Sequence, residues 1–240
     1  MFKRMLTLGF ILILVSCSSN DPVIEKKNSP PDDPDQSPKW VKKKDEDDEV
    51  SFIEFSLQDE KVRVNLDMVP ILGDYIEASA SPEKEIQNMG LERVQNTNKK
   101  MYILSFSCNN DLCSYILFDE GNDHQAILLA DIASLVQITP SPDDTKLLLQ
   151  FEREESLPLP LTNIIVINTE NWEQIELENE TNDMEILEFS WPLLDAEWVD
   201  DDRVLVSKPT INKPTEEEIL EWQETEQPST HIEYHTGGKK

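Results

Sequence analysis

The residues of this chain with the greatest capacity for chemistry are three cysteines and three histidines. They are Cys17, Cys108, Cys113, His124, His231 and His235. A thiol can be acylated, oxidised to a disulfide or bound to a metal, and an imidazole can bind a metal or transfer protons near pH 7. Spacing separates these roles, because Cys17 follows a short apolar run whereas the other two cysteines lie close together in an apolar segment.

The residues before Cys17 have the order of a secretory signal. Lys3 and Arg4 precede an apolar run over residues 5–15. A helix needs about 20 apolar residues to span a membrane, so this run is too short to span one, but its length suits a cleaved signal peptide. The motif Leu14-Val15-Ser16-Cys17 resembles the lipobox of bacterial lipoproteins. The resemblance implies a diacylglyceryl group on Cys17, cleavage before it, and a mature protein anchored to the extracytoplasmic face of a bacterial cell membrane. An ordinary secretory signal with a chance cysteine at the cut is the alternative.

The overall charge excludes one class of function. The chain has 21 basic and 49 acidic residues and a net charge of −28, so we expect no binding of nucleic acid, which needs clustered Lys and Arg. The same balance argues against broad contact with anionic lipid surfaces. The simplest role of the high negative charge is to keep an exported domain soluble and monomeric, and the alternative is loose binding of divalent cations or of a basic partner.

Cys108 and Cys113 are expected to form a disulfide, because export places them in an oxidising compartment and Cys17 leaves an even count. If they pair across the four residues 109–112, Phe106 faces Tyr115, and Leu104 likewise faces Leu117, on the same face as the disulfide. A metal-binding pair or a redox couple is the alternative.

Composition divides the chain into four parts. Residues 1–16 are the signal peptide, and residues 17–49 are predicted to be a flexible tether because they contain many prolines and charges. The acidic run within 45–49 is a solvated spacer, with a calcium site as the alternative. Residues 50–209 carry short apolar runs separated by turn signals, which is typical of an all-β domain. Residues 210–240 are predicted to be a helix, within 214–227, followed by a loose tail.

Within the β region the pattern predicts a hairpin of residues 50–57 and 61–69 and a short helix beginning at Pro82 after Ser81. Strands over 134–139, 146–151 and 163–168 follow.

The turn Ser141-Pro142-Asp143-Asp144 and its flanking strands resemble a blade of exported β-propellers whose repeats carry Ser-Pro-Asp-Gly. Asp144 stands where that family has glycine. A second, degenerate copy covers residues 196–206. The resemblance implies a β-propeller-like fold with few blades or an incomplete ring, and the alternative is a β-sheet domain of another kind.

No catalytic motif is present. The sequence has no nucleophile elbow, phosphate loop, dinucleotide fingerprint or His-Glu-x-x-His helix. His231 and His235 suit a metal only if their segment is helical, and the loop around His124 has oxygen ligands for weak calcium binding. The tryptophans could form a sugar-stacking platform, although core packing is the simpler interpretation; they are Trp40, Trp172, Trp191, Trp198 and Trp222.

These observations predict a membrane-anchored extracytoplasmic lipoprotein that acts as a non-catalytic binding or accessory module. We expect no catalytic residue, no resident metal and no cofactor, with weak calcium binding as the alternative. The expected partners are the membrane, through the lipid on Cys17, and an unidentified protein or envelope component. Two other functions stay open: a cell-envelope hydrolase that uses carboxylates, and a structural remnant of a propeller.

The anchor can be tested by replacing the acylated thiol. A Cys17→Ala variant should no longer incorporate labelled fatty acid and should leave the membrane fraction, because two acyl chains are needed for durable attachment. Metabolic labelling and membrane fractionation measure both effects. A variant that stays labelled and anchored would show that the lipobox interpretation is wrong.

Overall fold

The structure is a computed structural model, and it describes residues 22–27, 30–31, 33, 36–45, 48–120, 126–153, 157–180 and 184–237. The predicted signal segment, the lipidation residue Cys17 and the calcium loop around His124 lie outside the described residues. Strands account for 53% and helices for 15% of the structure, so the fold is mostly β, as the sequence predicts.

Sixteen strands are assigned in the described residues. They are β1 (Ile24–Lys27), β2 (Lys39–Asp45), β3 (Asp48–Ser56), β4 (Lys61–Asn65), β5 (Gly90–Arg93), β6 (Met101–Asn109), β7 (Leu112–Asp119), β8 (Ala126–Pro140), β9 (Lys146–Arg153), β10 (Leu161–Asn168), β11 (Glu173–Ile175), β12 (Leu177–Glu178), β13 (Glu188–Trp191), β14 (Asp195–Trp198), β15 (Arg203–Pro209) and β16 (Ser229–Thr236). The helices are α1 (Pro70–Ala78), α2 (Pro82–Gln87) and α3 (Glu216–Gln223), with 3₁₀ turns at Leu66–Met68 and Met184–Leu187.

The strands form antiparallel sheets, none of them closed in the part of the chain that the structure describes. Sheet I has the order β1-β4-β3-β2, and sheet IV has the order β12-β16-β15-β14. Between them in sequence lies an eight-stranded sheet that runs from β5 through β8 to β11, with β13 beside β10.

Strand β8 divides this large sheet into two. Its residues 126–133 pair with β7, and its residues 134–140 pair with β9. Ile132, at the changeover, has a positive φ of 49°, and irregularities interrupt both ladders. Such bulges bend a strand. We therefore treat β5, β6, β7 and the first part of β8 as sheet II, and the rest of β8 with β9, β10 and β11 as sheet III.

The four sheets pack face to face in sequence order. A first apolar cluster joins sheet I to one face of sheet II; its members include Val64 of sheet I, Leu104 of sheet II and Ile76 of α1. A second cluster joins the other face of sheet II to sheet III, and a third joins the far side of sheet III to sheet IV. Sheets II and III are consequently covered on both faces.

Double coverage explains the sequence of the central strands. Residues 147, 148 and 149 are consecutive leucines, all buried, and they alternate between the second and third clusters. A sheet covered on both faces needs such continuous apolar runs, whereas a sheet with one wet face needs alternation. Strand β15 of sheet IV alternates in this way, with Val204 and Val206 buried between less buried neighbours.

The tether prediction for residues 17–49 is wrong where the structure describes that segment. Strand β1 pairs with β4, and β2 pairs with β3, so both belong to sheet I. Ile24 lies opposite Val64, and Trp40 lies opposite Ile53, on the face toward sheet II. A strand with one buried face needs few apolar residues, which is why a composition typical of a linker concealed two strands.

The predicted loose tail is also corrected. Strand β16 lies between β12 and β15, and its Tyr234 is fully buried. The alternation of Ile232 and Tyr234 with polar residues is a strand signal that the high charge obscured. The predicted helix of this region is confirmed as α3, and Thr215 caps it by accepting a hydrogen bond from the Glu218 amide.

Several other predictions are confirmed: the β3–β4 hairpin, α2 with Pro82 at its first position, and the succession of β8, β9 and β10. The helix α1 was missed.

The disulfide hairpin of β6 and β7 differs from its predicted register. Cys108 and Cys113 are bonded, in keeping with the predicted pair. Asn110 and Asp111, with φ of 50° and 67°, form a two-residue turn. A bulge at Ser107, whose φ is 53°, then shifts the register by one residue. Phe106 therefore faces Ser114 and not Tyr115, and Leu104 faces Ile116 and not Leu117.

We expect no reactive thiol at Cys108 or Cys113 in the unreduced protein. Reduction should lower the free energy of unfolding by about 2 kcal/mol, because the bond closes only a short loop in the unfolded chain. A thiol count and chemical denaturation with and without reductant measure the two quantities. Two reactive thiols before reduction would contradict the pairing.

Candidate functional site

The most exposed tryptophan of the described residues lies in a groove of sheet I. Trp40 has 38% of its surface exposed, and a groove of about 520 Å³ runs from it to Pro82, Lys84 and Gln87 of α2. A second cavity of about 240 Å³ continues on the side of α1, past Pro70 and Gly73. We call these two cavities together the Trp40 groove.

Trp40 is exposed because of its place in the sheet. Strand β2 is an edge strand, so the indole is packed by β3 on one side and faces the short helices on the other. The Lys42 ammonium lies 5.8 Å from the ring centroid, which is within the range of a cation–π contact. An accessible indole beside prolines offers a flat apolar surface with polar groups at its rim.

The other tryptophans do not join Trp40 in a platform. Trp172 and Trp222 are buried, and the indole of Trp222 donates to the Pro228 carbonyl. Trp198 donates to the Thr139 carbonyl, which joins sheet IV to β8. Trp191 packs under the Lys208 ammonium, 4.1 Å from its ring centroid. The structure therefore gives these four tryptophans packing roles. Trp40 was considered in the sequence only as one member of that platform, because it lay in the segment predicted to be a tether, and the groove beside it was not predicted.

A larger and more polar groove lies between sheets III and IV. It has a volume of about 720 Å³, and its wall includes Lys146, Asn168, Glu173, Glu176, Glu178, Asp202 and His235. The Lys146 ammonium is 3.2 Å from Asp202 and also donates to the Asp201 carbonyl, so the one lysine of this wall is used to join the two sheets.

The two C-terminal histidines are not arranged as metal ligands. His231 and His235 lie on strand β16, where residues four apart are separated by about 13 Å. The His231 Nδ1 atom is hydrogen-bonded to the Ser207 hydroxyl, and the His235 imidazole is 3.7 Å from Glu233. Among the described residues no group of three or more His, Cys, Asp or Glu could hold a metal ion.

A buried charge cluster joins sheets I and II. Glu60 is 2% exposed, accepts a hydrogen bond of 2.8 Å from the Tyr102 hydroxyl, and forms an ion pair with Lys26. Burial raises the pKa of Glu60, but the hydrogen bonds from Lys26 and Tyr102 outweigh it, and the pKa is lowered overall. Burial and the neighbouring Glu60 raise the pKa of Tyr102. Both pKa values are moved further from neutral pH, so the cluster is suited to a structural role and not to proton transfer.

The Ser-Pro-Asp-Asp turn is a second closed polar unit. The Asp143 carboxylate accepts hydrogen bonds from the Ser141 hydroxyl and from the Thr145 amide and hydroxyl. Although burial opposes it, these hydrogen bonds lower the pKa of Asp143 to about 2. Asp144 takes the left-handed conformation, with φ of 60°, and accepts from the Asn98 amide of the turn before β6. The turn therefore links sheet II to sheet III.

Among the described carboxyl groups whose pKa is shifted, Glu152 is the exception, because burial raises its pKa whereas the pKa of each of the others is lowered. A raised pKa is what a general acid needs. Glu152 lies on β9 opposite Ser134 and Thr162, which are neutral partners.

Comparison of the chain with protein-family models, with curated proteins and with solved structures found no match. No helix in the described ranges is long and apolar enough to cross a membrane.

The Glu60 cluster should make the free energy of unfolding depend on pH in the acidic range. A group whose pKa is lower in the folded state stabilises that state above its unfolded pKa, about 4.3 for Glu, and this stabilisation is lost as the pH falls further. Glu60→Gln should lower the free energy of unfolding by about 1–3 kcal/mol at pH 7 and by less near pH 3. Denaturation over this pH range measures the difference. Glu226→Gln, at an exposed position, is the control, and equal losses at both pH values would contradict the assignment.

Proposed function

We propose that this protein is a lipid-anchored extracytoplasmic module that binds a protein or envelope partner in the Trp40 groove. The observation that carries the proposal is the exposed indole of Trp40 in a groove between a sheet edge and two helices. Aromatic side chains in pockets supply much of the energy at binding surfaces.

The length of chain before sheet I supports a position close to the membrane. Six residues separate Cys17 from Ile24 of β1, and an extended chain over these positions spans at most about 25 Å. With Cys17 acylated, sheet I and its Trp40 groove lie near the bilayer surface. The partner is accordingly a membrane protein, a second lipoprotein or a component of the envelope close to the membrane.

We also propose that the fold is an incomplete, propeller-like stack. Each of the four sheets is four strands wide and contains a three-stranded meander, with β13 as an additional strand beside β10 in sheet III, and consecutive sheets pack face to face. The turn between the first two strands of each meander is rich in Asp or Asn, ending near Asp48, Asn98, Asp144 and Asp202. The separations of 50, 46 and 58 residues are near blade periods of about 40–50.

A cell-envelope hydrolase is the second candidate. The groove between sheets III and IV brings four carboxylates to one wall, and acid–base hydrolysis of glycosidic bonds uses a pair of carboxyl groups. Glu176→Gln and Glu178→Gln variants test this candidate by zymography of envelope material. Activity that persists in both variants, or is absent from the wild type, would eliminate this groove as a catalytic site.

The binding function is tested by photo-crosslinking in intact membranes. A crosslinker placed at Lys84, on the groove wall, should give a discrete adduct, and one placed at Lys213, before α3, should not. A Trp40→Ala substitution should remove the Lys84 adduct because it deletes the aromatic surface.

Leu220→Ala is the matched control, since Leu220 is similarly exposed but lies on α3. Thermal unfolding checks that both variants are folded. An adduct at Lys84 that survives Trp40→Ala would contradict a partner site in the groove.

A further inference from the structure

The smaller cavity of the Trp40 groove, of about 240 Å³, is lined by an indole and by carboxylates, and we call it the α1 cavity. Its wall includes Trp40 and three acidic residues, Asp67, Asp74 and Glu77, and among the described residues of the wall there is no lysine, arginine or histidine. In the described part of the chain none of these three carboxylates forms an ion pair or a side-chain hydrogen bond. The cavity therefore places unpaired negative charge beside an aromatic ring.

Helix α1 presents one stripe of residues to this cavity. Pro70, Gly73, Asp74 and Glu77 line it, and their spacing of three and four residues places them along a single side of the helix. Ile76, which is buried in the first apolar cluster, forms part of the floor. The stripe above that floor is small or acidic, so it leaves the cavity open and charged.

The acidic residues of α1 do not stabilise the helix that carries them. Glu77 lies in the last turn of α1, where the helix dipole repels a negative charge, and this turn has no basic residue. Asp74 lies one turn before Glu77, so the two like charges repel each other. A cation bound between them would remove both unfavourable interactions.

Gly73 is a second, independent indication that the cavity receives a ligand. Glycine inside a helix is unfavourable relative to alanine, because it loses more backbone freedom on folding. Gly73 does not have a positive φ, and outside the backbone of α1 a Cβ at this position would meet only the Leu66 carbonyl oxygen, at 3.5 Å, which is an ordinary contact. Neither the backbone nor the packing therefore requires glycine here. Its effect is to leave the wall of the α1 cavity without a side chain.

We propose that the α1 cavity binds a lysine or arginine side chain from a basic segment of a protein partner, an assignment that rests on the proposed function of the Trp40 groove. The cationic group lies against the indole of Trp40 and is paired with the carboxylates of Asp74 and Glu77. Tryptophan binds cations better than the other aromatic side chains, and carboxylates form charge-assisted hydrogen bonds with ammonium and guanidinium groups. The cavity thus selects the basic residue, and the rest of the groove holds its neighbours.

The dimensions of the groove favour a chain segment over a small free cation. A volume of about 240 Å³ corresponds to about eight water molecules of the liquid, which suits one long side chain but neither a strand nor a helix. Beyond the indole the groove continues for about 520 Å³ past Pro82, and the charges there, Glu83 and Lys84, balance each other. That part has room for the residues on either side of the basic one, and it does not select a charge.

Lys42 does not take the place of the proposed ligand. Its ammonium lies 5.8 Å from the ring centroid of Trp40, near the outer limit of a cation–π contact. Lys42 belongs to the described wall of neither cavity. A basic side chain inside the α1 cavity therefore contacts a part of the indole that Lys42 leaves open.

Short peptides test the cavity without knowledge of the partner. The probes are acetylated, amidated pentapeptides of alanine with a central arginine or lysine, and the control peptide carries citrulline, which keeps the shape of arginine and removes its charge. In the isotope-labelled full chain the indole signal of Trp40, identified by its loss in Trp40→Phe, should shift with a cationic peptide. Binding of the citrulline peptide should be about 10-fold weaker. A signal that shifts with no cationic peptide, or equally with citrulline, would overturn the proposal.

Neutralisation and filling of the cavity are tested separately. Asp74→Asn with Glu77→Gln should weaken binding of the cationic peptide about 5-fold without lowering the thermal stability, because the two charges are unfavourable to α1. Gly73→Met should weaken it about 10-fold by filling the cavity, whereas Gly73→Ala should bind like the wild type. Both substitutions at Gly73 favour the helix, so unfolding does not explain a loss of binding.

Glu224→Gln with Glu226→Gln is the control, since it makes the same change of charge at exposed positions outside the groove and should bind like the wild type. An equal loss of binding in this control would overturn the assignment to the α1 cavity. Glycerophosphocholine, the headgroup of a zwitterionic lipid, is the third probe. A Trp40 signal that shifts with it and with neither cationic peptide would assign the cavity to lipid instead.

The adduct at Lys84 in intact membranes separates this inference from the proposed function. An adduct that requires Trp40 but persists unchanged in Asp74→Asn with Glu77→Gln would leave the partner site standing and overturn the basic ligand. Absence of any adduct, with selective binding of the cationic peptides, would contradict the partner site and support the cavity as a cation site.

Discussion

The burial of both faces of sheets II and III is the constraint on which the rest of this structure depends. It requires strands that are apolar on both sides, such as the leucines at 147, 148 and 149, and it leaves no wet face on which to place charge. The described carboxylates are mainly confined to turns, to the helices, to edges and to the outer faces of sheets I and IV, with Glu152 on the central strand β9 as an exception. That confinement separates a packed interior from a highly charged exterior in one small chain.

Each junction between sheets combines an apolar cluster with polar links. Glu60 of sheet I is bound by Tyr102 of sheet II, Asp144 of sheet III accepts from the Asn98 amide, and Lys146 of sheet III is paired with Asp202. Apolar contact stabilises the stack but is not directional, whereas a buried hydrogen bond fixes the register of one sheet on the next. These polar links explain why acidic and amide residues occur at the turns, and the explanation does not require that the residues bind a ligand.

Sequence reasoning was accurate where the local pattern was strong. The mostly β class and the β8–β9–β10 succession follow from apolar runs separated by turn residues, and the Cys108–Cys113 pair in the structure matches its predicted partner. It was inaccurate where charge masked a one-sided strand. Strands β1, β2 and β16 carry too few apolar residues to be distinguished from linkers by composition, and the Trp40 groove was missed together with β2. The hairpin register was also missed, because a bulge at Ser107 is set by packing on both faces.

By itself the sequence determined the mostly β class, the position of the central strands and the expectation of an acylated Cys17, because each depends on residues adjacent in the chain. Only the tertiary structure decided that the acidic and basic segments at the two ends of the domain form strands with outward-facing charge. It also decided that Trp40 lies beside α2, 42 residues further along at Pro82. The physical reason is that a strand with one buried face is defined by the partner that covers it, and that partner is distant in sequence.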